Sequence, residues 1–422
     1  MTRMMVNFQV GLCIFSQLCV LAASQRTFLD SPPNLFIWRA IRNYIHLFQF
    51  FENEGQTPTN FQRNIQLDIP FPCNVTGGRS SKIPNSVHRL RPGDIDVIAA
   101  IGDSLTAGSG IFAKNLLEIF VENRGVQANI GGKGTWRTYL TLPNILKEYN
   151  PELIGYALED SLTSQSASQL SVAEIGAMSK DLPFMAKYLI NKIKKDARID
   201  VKKHWKLISI FIGHNDFCSE ICAVPSPWSI VENHKIELVK TLRILRDNLP
   251  RTFIAIQLPP HLKELVASRK GRNSLKCYVT TLIECSCLFA LQFQDRRQEY
   301  YKVIRRWQEL EEEIADYPEF HRNDFTVVAL PFLKNSKLPL TDNGYYDLSY
   351  LSIDCFHLNQ KGNAQTFQQK KEIVVVFQVA NNLWNSLLEP VGNKSTSWTP
   401  IFEKFLCPTS ERPFLMTREN SK

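Results

Sequence analysis

Between Ile95 and Leu330 the chain alternates short apolar runs with amphipathic helical patterns, an order that few folds accept. Val97–Ile101 is apolar at every position, so both faces of that run must be buried, as in a strand of a parallel sheet. Further strand candidates are the short Val126–Ile130, the weaker Leu153–Leu158, and Leu207–Ile212, Phe253–Leu258 and Phe325–Leu330. Helical spacing separates them at Asp181–Lys195, Ser229–Asn248 and Gln294–Tyr317; in the last, Tyr300, Val303, Ile304, Trp307, Leu310 and Ile314 share one face. This alternation predicts an α/β fold with a central parallel sheet covered on both sides. The hydrophobic content of 44% is enough for its core.

Ligands of such sheets bind where strand carboxyl ends and helix starts converge. Four segments reach that edge. Gly102-Asp-Ser104 follows the first run and places Ser104 at a helix start, where backbone N–H groups can stabilise an oxyanion. Taken alone, the tripeptide is equally an ordinary turn. Asn129-Ile-Gly-Gly-Lys-Gly-Thr135 follows the second run and permits close backbone approach, with spacing unlike a dinucleotide-binding glycine loop. Gly213-His-Asn-Asp216 puts the uncharged amide of Asn215 at the same edge, as an oxyanion donor or a loop cap. Asp354-Cys-Phe-His357 follows the last run: a carboxylate that fixes a histidine tautomer, and a histidine able to take a serine proton near neutral pH.

The ends of the chain point to export. Arg3 precedes the apolar stretch Val6–Leu21, which closes on Ala22-Ala23-Ser24, so residues 1–24 read as a signal peptide. A membrane-anchoring helix is the alternative, for which the stretch is short and is broken by Asn7, Gln9, Ser16 and Gln17. Eight cysteines follow this segment, an even set that allows up to four disulfides in a secreted protein. The one-residue gap of Cys285-Ser286-Cys287 is shorter than structural zinc spacing, and no metal or cofactor is expected. Asn74-Val-Thr76 and Asn393-Lys-Ser395 are N-glycosylation sequons. The net charge of +8 is spread along the chain without basic runs, which excludes a nucleic-acid partner and permits weak attraction to anionic lipid surfaces. A helical patch at 36–51 lies in the lead-in segment 25–92, and Cys73 is expected to tie that segment to the main body.

The four blocks Gly102-Asp-Ser-Leu105, the glycine segment, Gly213-His-Asn-Asp216 and Asp354-x-x-His357 resemble those of the GDSL, or SGNH, hydrolases. Ser86-Val-His-Arg-Leu-Arg-Pro-Gly-Asp94, Gly131-Gly-Lys-Gly-Thr135 leading to Thr141-Leu-Pro-Asn-Ile-Leu146, and Leu383-Trp-Asn-Ser-Leu-Leu-Glu-Pro-Val-Gly392 are similar to the phospholipase B-like branch. The resemblance implies a three-layer α/β/α hydrolase domain over 93–395, followed by a tail at 396–422. It implies Ser104 as nucleophile, His357 as general base and Asp354 as its orienting acid. It also implies an oxyanion hole from the Ser104 N–H, the Gly132 N–H and the Asn215 side chain, with Gly131 and Gly134 as neighbours of Gly132 that could serve instead. The implied reaction is metal-free release of fatty acids from phospholipids and lysophospholipids through an acyl-enzyme, by a secreted protein that meets a membrane or micelle surface. A broader secreted carboxylesterase, or a silent lipid-binding member of the fold, are the alternatives. The chain departs from the related pattern in one place: an added run at 365–379 separates Asn359–Ala364 from the segment around Trp384.

Overall fold

The computed structural model describes residues 65–269, 274–364, 379–397 and 404–421. The signal-peptide stretch, the helical patch at 36–51 and residues 365–378 of the added run lie outside them.

In chain order the regular elements are β1 (Ile95–Gly102), α1 (Ser104–Ala107), α2 (Leu142–Tyr149), α3 (Leu182–Lys195), β2 (Trp205–Phe211), α4 (Ser229–Asn248) and β3 (Thr252–Gln257). They continue with α5 (Lys263–Ala267), α6 (Leu275–Glu284), α7 (Ser286–Phe289), α8 (Arg297–Ala315), β4 (Phe325–Leu330), α9 (Gln360–Ala364) and α10 (Val379–Leu388). The four strands pair in parallel in the order β1-β2-β3-β4, with Gly102 opposite Phe211 and Gln257 opposite Leu330.

Alternating strand side chains feed two cores. Val97, Ala99, Ile101, Ile208, Ile210, Ile254 and Ile256 pack with α3, α4 and α8. Ile98, Ala100, Leu207, Phe253, Ala255 and Val328 face the other way, toward α2 and α10. Complete strand burial therefore follows from a helix layer on each face, the three-layer α/β/α arrangement. The helix starts are conventional: Thr141 caps α2 through a 3.2 Å bond from the Asn144 N–H, and Pro143 sits in the first turn.

Two of the expected strands are absent from the sheet. Over Val126–Ile130 the backbone turns instead, because the Gln127 carbonyl accepts the Gly131 N–H (2.8 Å) and its side chain accepts the Asn129 N–H (2.8 Å). Leu153–Leu158 makes only isolated bridges, Ile154 to Val97 and Ala157 to Gly131, with Gly155 between them at φ 99°.

Segments on either side of the core pack into it. Disulfide Cys73–Cys407 joins the lead-in to the tail, and Leu415 is fully buried, its N–H bonded to the Leu90 carbonyl at 2.7 Å. The other six cysteines of the described chain pair as Cys218–Cys285, Cys222–Cys287 and Cys277–Cys355. Cys285 and Cys287 are thus committed to sulfur partners.

Candidate active site

Strand β1 ends at a position that tolerates only glycine: a Cβ on Gly102 would stand 2.6 Å from the Phe211 carbonyl oxygen. The chain then turns into α1. Asp103 caps that helix, accepting the Leu105 N–H at 3.0 Å, and Gly108 ends it in the left-handed conformation, φ 82°. Ser104 is consequently fixed as the first residue of a short helix, buried but for 6% of its surface. As an N-terminal helical position its N–H has no acceptor within the helix.

The other half of the site comes from the loop after β4. Asp354 Oδ1 accepts the N–H groups of Phe356 (3.0 Å) and His357 (3.1 Å), so the carboxylate folds its own loop around itself. Its Oδ2 meets His357 Nδ1 at 2.5 Å, and His357 Nε2 meets Ser104 Oγ at 2.8 Å. A carboxylate at Nδ1 holds the ring proton there and leaves Nε2 to accept from the serine. Burial alone would lower the His357 pKa, but the charge and hydrogen bond of Asp354, with Glu284 and Asp103 behind, outweigh it and raise it to about 9. For Asp354, burial opposes ionisation and the His357 charge with three hydrogen bonds overcomes it, leaving the carboxyl below its usual range.

Several ties hold this loop against the Ser104 turn. Ser352 Oγ donates to the Gly110 carbonyl (2.6 Å), the Gln360 N–H to that of Ile111 (3.0 Å), and Thr280 Oγ1 from α6 to that of Asp354 (2.6 Å). Cys355, between Asp354 and His357, is bonded to Cys277 of the same helix. Glu284 closes that helix. Its carboxyl, raised in pKa by burial, lies with Asp354 and His357 in a group whose donor atoms are all within 4.8 Å of one another. This is the one grouping of metal-ligand side chains among the described residues, and Asp354 and His357 already spend donor atoms on each other and on Ser104.

Asn215 follows β2, the neighbour of β1. Its Nδ2 donates one hydrogen to the Ala177 carbonyl (2.9 Å), which leaves the second. Beneath it a buried chain pins the turn: Asp216 accepts the Ser179 N–H (3.2 Å), Ser179 Oγ meets His234 Nδ1 (2.9 Å), and His234 Nε2 meets Glu311 (3.1 Å). Burial pushes Asp216 up to about 7 and His234 down to about 3, so the chain is built largely from neutral groups. Gly132 differs from expectation. Its N–H is already committed to the Ala157 carbonyl at 2.8 Å, and a Cβ there would run into the Tyr156 ring. Close packing requires that glycine, and its N–H is not a free donor here.

An apolar pocket adjoins the site, with Leu105, Ile111, Phe211, Leu262, Phe356 and Leu358 in its wall. Asn74 and Asn393 of the two sequons are both exposed.

Residues 98–369 match the family model of the GDSL-like lipase/acylhydrolases. The chain belongs to that family. Its sheet and helix layers are accordingly the SGNH hydrolase fold. It is also similar to "Phospholipase B1, membrane-associated" of Rattus norvegicus, 38% identical over 346 residues, and to that of Homo sapiens, 36% over 349. Each alignment covers 81% of this chain and 22% of the relative, so the chain spans about a fifth of the length of these curated relatives. The extracellular lipase of Streptomyces rimosus aligns over 63% of this chain and 94% of its own at 11% identity, with a TM-score of 0.29. Within this GDSL-family site, His214 and Glu284 are residues that motif reading left without a role. His214 sits inside the Gly213–Asp216 block, yet its partner Asp103 is 111 residues away. Glu284 belongs to no block, and its only sequence signal is its place beside Cys285.

Proposed function

We propose that the chain is a secreted serine ester hydrolase that releases fatty acids from phospholipids and lysophospholipids. The observation that carries this reading is the unbroken chain Asp354 Oδ2, His357 Nδ1, His357 Nε2, Ser104 Oγ, with links of 2.5 and 2.8 Å. Ser104 Oγ attacks the ester carbonyl as its proton passes to His357 Nε2, and Asp354 stabilises the imidazolium that forms. The developing oxyanion takes the Ser104 N–H and the second hydrogen of Asn215 Nδ2; Gly132 joins them only if its bond to Ala157 opens. His357 then protonates the departing alkoxide, and water repeats the cycle on the acyl-enzyme with the same proton transfers.

The phospholipase B1 relatives and the apolar pocket favour a fatty-acyl substrate presented at a membrane or micelle surface. Four disulfides favour an oxidising compartment, with Asn74 and Asn393 as glycosylation sites. Among the described residues no helix is long and apolar enough to cross a membrane. A fluorophosphonate probe should label the protein at Ser104, and Ser104→Ala should abolish both labelling and fatty-acid release from phosphatidylcholine micelles. Continued hydrolysis by the variant would remove the proposal.

A further inference from the structure

Local structure gives Glu284 no reason to carry a carboxyl. It is the last residue of α6, where a negative charge faces the negative end of the helix dipole. No hydrogen bond ties its carboxyl to another described residue. Its position is nevertheless fixed. The next residue, Cys285, is fully buried in its bridge to Cys218; one turn earlier Thr280 Oγ1 donates to the Asp354 carbonyl at 2.6 Å; and Cys277 is bonded to Cys355. These restraints set Glu284 beside the Asp354–His357 pair: one oxygen from each carboxyl and one ring nitrogen of His357 all lie within 4.8 Å of one another.

A charge at that distance acts on one state of the ring. In the reaction read above, His357 is neutral before it takes the Ser104 proton and a cation afterwards, so a nearby carboxylate favours the second state. Three acidic groups bear on the ring and raise its pKa: Asp354 of its own loop, Glu284 of α6 and Asp103 before α1. Asp354 is hydrogen-bonded to the ring, and Asp103 is already bonded to His214 Nδ1 at 2.8 Å. Glu284 has neither tie, so its effect on the ring is electrostatic. The influence runs both ways. Burial raises the Glu284 carboxyl above its usual range, the His357 cation counters that, and the Asp354 charge adds to it. An imidazolium therefore draws Glu284 toward its charged form.

Resting on the serine ester-hydrolase reading above, we propose that Glu284 is a positioning residue that acts through His357, as a second carboxylate stabilising the imidazolium formed when Ser104 Oγ attacks. The proton moves from Ser104 Oγ to His357 Nε2 and none passes to Glu284. When Asp354 is neutralised, Glu284 supplies part of the missing charge.

The test is the pH dependence of two rates of the full chain: kcat/KM on 1-palmitoyl lysophosphatidylcholine, and labelling of Ser104 by a fluorophosphonate. Glu284→Gln keeps the side-chain shape and removes the charge. Its rising limb should lie about one pH unit below that of wild type, the low end for loss of an opposite charge within about 6 Å, because Glu284 is partly exposed. The plateau should fall by up to about tenfold, the same unit read as a rate. A merely structural role would lower the plateau and leave the limb in place. Glu284→Asp keeps the charge and should keep the wild-type limb. In Asp354→Asn the neighbouring carboxylate no longer opposes Glu284 ionisation, so adding Glu284→Gln should cost a larger factor there than in wild type. Glu284→Ala, a second neutral variant at a partly exposed helix end, should show the same shift and replaces the first should that not melt cooperatively. A limb at the wild-type pH in the neutral variants, or a factor no larger in the Asp354→Asn background, would overturn the proposal and leave the esterase reading intact. Absence of Ser104-dependent hydrolysis and labelling in wild type would overturn both.

Discussion

Removing the Cys277–Cys355 disulfide should cost more stability than removing Cys222–Cys287, and it alone should impair the chemistry of the folded enzyme. The first bridge closes 78 residues and the second 65, so isolated loops would differ little. They are not isolated. Cys218–Cys285 already brings the ends of the 222–287 loop to within about six residues of chain, whereas no other bridge shortens the 277–355 loop. Chain entropy then gives about 4.5 kcal/mol for Cys277–Cys355 and about 2 kcal/mol for Cys222–Cys287. Cys355 also lies between Asp354 and His357, while Cys222 and Cys287 touch neither. Loosening the base by about 1 Å costs on the order of a hundredfold in rate. Urea unfolding of Cys277→Ala/Cys355→Ala and Cys222→Ala/Cys287→Ala, paired with kcat below the transition, reads both quantities. Equal stability losses would refute the nested-loop argument, and an unchanged kcat in the first variant would refute the claim that the bridge positions the base.

Asp354→Asn should lower kcat on the order of 10⁴-fold, because the amide no longer selects the Nδ1–H tautomer. Loss of the negative partner also lowers the His357 pKa, so the rising limb of kcat/KM against pH, near 9 in wild type, should move to lower pH in the variant. The stability sign is the same: a histidine raised from 6.5 to about 9 stabilises the fold fully below pH 6.5, and that contribution is lost as pH rises through 9. Urea midpoints of the variant should therefore fall less over that window. Arg124→Met should cost about 3–5 kcal/mol, since it leaves the fully buried Glu122 carboxylate without its cation at 2.8 Å; Glu122→Gln/Arg124→Met should recover part of this in a thermal melt. Gly102→Ala should cost about 1–3 kcal/mol, because its Cβ collides with the Phe211 carbonyl, and should slow fluorophosphonate labelling of the adjacent Ser104. A melt and a labelling rate equal to wild type would refute the close-approach argument.

Elements with a strong local period were legible in the chain. Helix α4 and strand β4 have the bounds that their apolar spacing sets, Ser229–Asn248 and Phe325–Leu330. The run at 126–130 alternates apolar and polar residues as a strand would, but the side chain and carbonyl of Gln127 satisfy the Asn129 and Gly131 N–H groups and the strand never forms. The positions of Ser104, Asp354 and His357 were marked by short motifs. Their convergence depends on contacts that no local pattern encodes, and the cysteine pairing is likewise one of 105 possibilities for eight residues. His214 stood in plain view within a block, but its partner Asp103 is 111 residues away, and only folding brings the two together. The Gly132 N–H shows the converse: the motif marks the glycine, while the fold gives its hydrogen to Ala157.

The sheet order explains why His357 needs so many restraints. Ser104 follows β1 and His357 follows β4, the two ends of the order β1-β2-β3-β4. Three strand spacings put about 14 Å between those strands, so the loop after β4 must cross the whole carboxyl edge to bring Nε2 to 2.8 Å from Oγ. A segment that long has no sheet ladder to fix it. It is fixed instead at both ends of its journey: to the Ser104 side by Ser352 on Gly110 and Gln360 on Ile111, and to α6 by Thr280 and the Cys277–Cys355 bridge. Helix α6 is in turn anchored through Cys285 to Cys218, two residues beyond Asp216 of the Asn215 turn. His357 and Asn215 are thus tied to one helix, so a displacement of α6 should move both against Ser104 at once.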